Sequence, residues 1–159
     1  MFRPTAVTTA LLCTATLACS TGAQAQSMHA TLDSASAQKI VAACQTLAVK
    51  QGWHMAIAVV GEDGQLRQFQ RMDGTMLIAT RAAQLKAETS ALLPIPTRMV
   101  REVAKSTKGL EYLPGITTVA GGLPIVSTQG QPMGAVGVSG GMTEDQDEQC
   151  AQAGLSALQ

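Results

Sequence analysis

Ser139 stands in GVSGG, residues 137–141, which fits the G-x-S-x-G spacing of a hydrolase nucleophile elbow. An apolar run, Ala135 to Val138, precedes it and the helix-like TEDQDEQCAQAGLSAL follows, so strand, glycine turn and helix are in the required order. Such a serine needs a base, and in the elbow family the histidine comes after the serine. No histidine follows residue 139; the chain has two, His29 and His54. A Ser-Lys pair with Lys86 or Lys105 has no motif behind it. The stretch is therefore read as a glycine-lined strand end. There Gly121, Gly122, Gly134, Gly137, Gly140 and Gly141 let backbone, a ligand or a neighbouring subunit lie close. Neither G-x-x-x-x-G-K-[ST] nor G-x-G-x-x-G is present, which argues against nucleotide binding.

The remaining candidates are single residues. RMDG, Arg71 to Gly74, places a cation and a carboxylate at a strand end, and its plainer reading is an Asp-Gly turn with a solvated arginine. Lys86 lies on a helical pattern among apolar neighbours, where it either joins an anion pocket or snorkels to the surface, the commoner case. His54, beside the apolar MAIAVV, offers a ring nitrogen to a metal or haem, against the plainer role of a hydrogen-bonded strand-edge histidine. Met55, Met72, Met76 and Met133 carry thioethers that can reach haem iron, although most methionines fill cores. No cysteine or histidine spacing matches a metal site, so none is expected.

Positioning these residues falls to a short series of elements. LDSASAQKIVAACQTLAVKQG has apolar residues at helical intervals, with Asp33 or Ser34 to open the helix and Gly52 to close it. MAIAVV suits a central strand covered on both faces, and LRQFQRM, after the Glu62-Asp63-Gly64 turn, suits its half-exposed hairpin partner. MLIATRAAQLKAETSALL predicts a second helix stopped by Pro94 and Pro96, and residues 97–108 a shorter charged one. Two strands, about Leu123 to Ser127 and Met133 to Ser139, make a second hairpin. Thr143 and Gln146 form a capping box for the last helix. Its first turns carry Glu144, Asp145, Asp147 and Glu148 at the positive end of the dipole, and Ala151, Leu155 and Leu158 form its buried stripe. The order predicts an α+β domain with an antiparallel sheet packed by helices.

A chain of 159 residues with 46% hydrophobic content suffices for one domain and one core. Its start reads as a signal peptide, residues 1–25: Arg3, an uncharged run from Ala6 to Ala18, then the A-x-A site Ala23-Gln24-Ala25. Lipoprotein processing at Cys19 is the weaker alternative, because Thr16 occupies a position where an aliphatic residue is usual. Residues 26–31 form a polar leader, residues 32–159 the domain, and the expected location is periplasmic or secreted. Loss of Arg3 leaves ten basic against eleven acidic residues, with no basic cluster. Nucleic acid and stable membrane insertion are thus not expected. Cys44 and Cys150 remain after cleavage. An oxidising compartment would let them pair, but both sit on helical patterns and no spacing sets their distance, so the reading leans to two buried apolar thiols.

AIAVV, DGQLRQFQRMDG, LKAETSAL, GGLPIVSTQGQPMGAVGVSGG and QDEQCAQAGLSAL, in that order, resemble the GlcG/HbpS family of haem-degrading domains, also found at the C-terminus of PduO proteins. The resemblance runs from about Leu32 to the end. It implies a single domain with a five-stranded antiparallel sheet and helices, assembled into homo-oligomers, octamers in several members. It also implies haem as cofactor for exported members, linked to haem degradation and redox sensing. Gly121, Gly122 and Ser139 fall in its glycine-rich hairpin and, with His54, are the candidates for holding the cofactor. One departure is Val59-Val60-Gly61, where the family commonly has V-V-D; Glu62 or Asp63 would have to supply that carboxylate. Two other functions stay open on the sequence. One is an enzyme acting on a small carboxylate or carbonyl compound with Arg71, Asp73 and Lys86; the other is a structural oligomer without a ligand.

Overall fold

A computed structural model of the chain describes residues 30–159. The signal peptide, its alternative at Cys19, and His29 lie outside the described residues. The elements are α1 (Ser34–Gln51), β1 (Ala56–Gly61), β2 (Leu66–Arg71), α2 (Leu77–Leu92), α3 (Thr97–Ser106), a 3-10 turn (Leu110–Tyr112), β3 (Gly122–Val126), β4 (Pro132–Ser139) and α4 (Glu144–Ser156). All pairings are antiparallel, in the order β2-β1-β4-β3, so β1 and β4 are central. No helix among the described residues is long and apolar enough to cross a membrane.

Alternation along β1 explains how one apolar run serves two faces. Ile57 and Val59 point to the layer of α1 and α4, against Ile40, Val41, Cys44 and Ala151. Ala56, Ala58 and Val60 point the other way, against Ala79, Ala83 and Ala87 of α2. That second face is made of small side chains, and α2 consequently lies close on the sheet. At the contact, Gly137 of β4 faces Ala83 and Ala87, and a Cβ there would overlap the Ala83 carbonyl and the Ala87 amide. Both are backbone atoms that no rotamer change can move. Gly137→Ala is therefore expected to cost about 1–3 kcal/mol by overpacking, read as a lower thermal midpoint.

Caps form much as the residue types require. Asp33 Oδ1 accepts from Ser36 N at 2.6 Å, and that bond holds its carboxyl below the usual range. Gly52 closes α1 at φ 70°, left-handed backbone that favours glycine. At α4, Thr143 Oγ1 accepts from Gln146 N as a capping box needs. The return bond differs: Gln146 Oε1 accepts from Met142 N at 2.7 Å, one residue earlier than the standard box.

Three expectations need correction. Among the described residues the sheet has four strands, not five. Residues 113–120 stay irregular because their backbone finds side-chain partners instead of a neighbouring strand. Thr89 Oγ1 receives Thr117 N and donates to Gly115 O, while Arg101 Nε donates to Thr118 O. Second, Cys44 and Cys150 are not free thiols but a disulfide, S–S 2.04 Å, joining α1 to α4 inside the core. Third, Lys86 does not snorkel: its side chain is 2% exposed, in an ion pair with Asp147.

Candidate functional site

The loop between β4 and α4 brings the candidate residues near one another. Asp147, one turn into α4, turns its carboxylate inward: Oδ1 accepts from Gly141 N at 2.8 Å, and Oδ2 accepts from Lys86 Nζ at 2.6 Å. Lys86 Nζ also donates to Val138 O at 2.9 Å. Gly121, at φ 116°, lies over this pair; a Cβ there would sit 2.8 Å from Asp147 Cβ and 3.1 Å from Lys86 Nζ. Gly122 is closed in by the Lys86 carbonyl and Thr97 Cγ2. The two glycines thus admit the protein's own atoms around the pair. Burial raises the Asp147 carboxyl above its usual range, and Lys86 and the Gly141 N–H pull it back only in part.

Three clefts surround that loop. A middle one of about 260 Å³ has Lys86 and Asp147 in its wall, with Ser139, Gly141 and Met142. It adjoins a second of about 450 Å³ along α2, since Ala82, Leu85, Thr117 and Val119 line both; Ile78, Arg81, Gln84 and Glu88 complete the second. Past Met142 lies a third of about 240 Å³, lined by Trp53, His54, Gly74, Met76, Met142 and Gln146 among others. Met142, 89% exposed, is the partition between the first and the third.

Arg71 and Asp73 lie outside the walls of these clefts. Arg71 Nη2 donates to Thr75 O, and the Asp73 carbonyl accepts from His54 Nδ1 at 2.7 Å while its carboxylate faces solvent. Arg71, Asp73 and Lys86 are therefore not assembled into one site. Ser139 opens onto the middle cleft, but the Lys86 amine in the same wall is engaged by the Asp147 carboxylate and Val138 O rather than by the serine hydroxyl. At Gly61, where the resemblance implies an acid, Asp63 Oδ1 lies 2.7 Å from the position of a Cβ, and the Asp63 carboxylate pairs with Arg67. Asp63 thus brings a carboxylate beside the vacant position. Sequence reading missed the role of Asp147, which looked like one more helix-dipole charge. Its neighbours do face outward, Asp145 and Glu148 to Arg98 and Glu144 to Arg101, which holds the Glu144 carboxyl below its usual range.

A four-stranded antiparallel sheet with one close helix on one face, two on the other and clefts at the β4–α4 loop defines a small single-domain α+β protein. Comparison with known proteins narrows the class. Residues 32–156 match the family described as haem degrading protein HbpS-like, and the chain belongs to that family. Protein GlcG of Escherichia coli strain K12 is 38% identical over 104 residues, 65% of this chain and 77% of that protein. Among solved structures, a doubly substituted HbpS of Streptomyces reticuli superposes with a TM-score of 0.79 at 32% identity, over 93% of this chain and 99% of that one. A solved PduOC–haem complex shares the fold, with a TM-score of 0.74 at 23% identity over 80% and 95% of the two chains.

Proposed function

We propose that the protein is an exported haem-binding protein whose ligand lies in the trough formed by the middle cleft and the cleft along α2. One observation carries the reading: an apolar wall of Ile78, Ala82, Leu85 and Val119 in a cleft whose polar lining includes the cation Arg81 beside Gln84 and Glu88. A haem has two apolar faces and two anionic propionates, so this donor set fits it. Ile78, Ala82, Leu85 and Val119 would hold the macrocycle and Arg81 a propionate, with the Thr117 and Ser139 hydroxyls as polar contacts. When bound, the iron would supply the redox and oxygen chemistry. His54 opens onto the neighbouring cleft and stays outside this arrangement. The description of the family and the haem complex of PduOC support the ligand.

Export is supported by the Cys44–Cys150 disulfide, since such bonds persist in oxidising compartments. Homo-oligomers are supported by exposed apolar side chains, Leu77 at 83% and Tyr112 at 82%. Degradation of the bound haem is a further part of the proposal and is read as loss of the Soret band with a reductant present.

Hemin added to the protein is expected to give a saturable Soret band of fixed stoichiometry. Ala82→Trp, which fills the wall shared by both clefts, is expected to abolish it with the helix content unchanged. No saturable band in the unaltered protein, or full binding by the tryptophan variant, would sink the reading. Light scattering on the same samples tests assembly. An oligomer of unchanged size that never takes up hemin favours the ligand-free structural role instead.

A further inference from the structure

The third cleft is not needed for haem in the trough, and its walls have a chemistry of their own. Among the described residues no group of three or more His, Cys, Asp or Glu side chains could hold a metal ion. Thioethers fall outside that donor set. The cleft brings two of them, Met76 and Met142, to the same small space as the His54 imidazole. Backbone packing explains the convergence. The His54 ring rests on Gly74, whose Cβ would lie 3.0 Å from Nδ1, and Met76 follows two residues later. Gly140, at φ 126°, packs on the His54 carbonyl, and Met142 again follows two residues later.

The imidazole is already set for ligation. Its Nδ1 lies 2.7 Å from the Asp73 carbonyl, an oxygen that can only accept, so Nδ1 carries the proton in the neutral ring. The lone pair is then on Nε2. A metal-binding histidine is commonly held in this way, by a carbonyl or carboxylate on its other nitrogen. Both thioethers stand open to solvent, Met142 at 89% and Met76 at 57%, where apolar side chains gain nothing from burial.

We propose that His54 Nε2 and the Met76 and Met142 sulfurs form a site for monovalent copper in the cleft that Trp53 also lines. Thioether sulfur is a soft ligand that selects Cu(I), and imidazole accepts copper as well; two thioethers and one imidazole make a poor site for Zn(II) or Mg(II). The disulfide removes Cys44 and Cys150 from competition for the ion. A sequence scan by spacing finds no such site because the three donors come from three separate loops.

Trp53 is the only tryptophan in the chain, and it lines this cleft, so its fluorescence reports the site directly. The test uses the full chain with Cys13 and Cys19 blocked by iodoacetamide, titrated anaerobically with Cu(I) buffered by a chromogenic chelator. One equivalent of Cu(I) is expected to move from the chelator to the protein, with quenching of Trp53 in step. Met76→Leu, Met142→Leu and His54→Ala are each expected to weaken binding about tenfold or more, with the thermal midpoint and circular dichroism kept. Ala82→Trp, which lies outside this cleft, is expected to take the same one equivalent of Cu(I) from the chelator, read by the chelator's absorbance because the added indole contributes its own fluorescence. Failure of the protein to compete with the chelator would overturn the assignment. So would unchanged binding in the Met76→Leu/Met142→Leu double variant, or equal quenching by Zn(II).

Discussion

Reduction of the Cys44–Cys150 bond, or its removal as Cys44→Ala/Cys150→Ala, is expected to lower the unfolding free energy by about 2–5 kcal/mol. The bond closes a sequence separation of 106 residues, running from α1 to α4. A loop of that order restricts the unfolded chain strongly, which in the chain-entropy account is worth most of the upper figure. The native side adds to it. Both sulfurs lie in the fully buried layer among Ile40, Ala48 and Ala151, so the alanine pair also leaves unfilled volume. The check is urea unfolding of oxidised, reduced and double-alanine protein, read by circular dichroism. A midpoint unchanged by reduction would show that the bond contributes nothing. A reduced protein as weak as the double-alanine variant would assign the effect to the cross-link, and a gap between them measures the packing loss.

Pairing of these cysteines was not legible in the sequence, although the helices that carry them were. Periodicity places Cys44 on the inner face of α1 and Cys150 on the inner face of α4, but their separation depends on how the two helices cross. Gly154 decides that: its missing side chain admits Ile40, whose Cγ2 would lie 2.8 Å from a Cβ at that position. Element types came through well because capping residues, proline stops and the unbroken MAIAVV run are local signals. The irregular run after Tyr112 was not legible in its course, because Thr89 and Arg101, distant in sequence, satisfy its backbone. The site was legible only in pieces. GVSGG reads as a serine motif in isolation, whereas in the fold its glycines serve close approach to α2 and to the His54 carbonyl. Lys86 and Asp147 are 61 residues apart, and nothing in either neighbourhood names the other.

That pair gives the second large effect. Lys86→Met is expected to destabilise the protein by about 3–5 kcal/mol at neutral pH, because it strands the Asp147 carboxylate in a nearly dry site. One Gly141 N–H remains to it. Desolvation already outweighs the pull of Lys86 on this carboxyl, so the folded state holds the Asp147 proton above the ordinary value of 3.8. The sign follows. A carboxyl with a raised folded pKa contributes most stability below its unfolded value and loses that contribution as pH rises through the folded one. In Lys86→Met the counter-charge is gone, the folded pKa rises further, and the deficit is expected to shrink as pH falls toward 3.8. Lys86→Met combined with Asp147→Leu is expected to recover a large part of the loss, since an apolar pair pays no desolvation penalty. Urea unfolding across pH 4 to 7 measures all three proteins. A single variant within about 1 kcal/mol of the unaltered protein, or a double variant no better than the single, would show the charges to be solvated and the pair incidental to the fold. The recovered double variant separates the fold from the loop. With its Gly141 N–H bond gone, the β4–α4 loop loses one of the two ties beside Met142 and keeps the other, Met142 N to Gln146 Oε1.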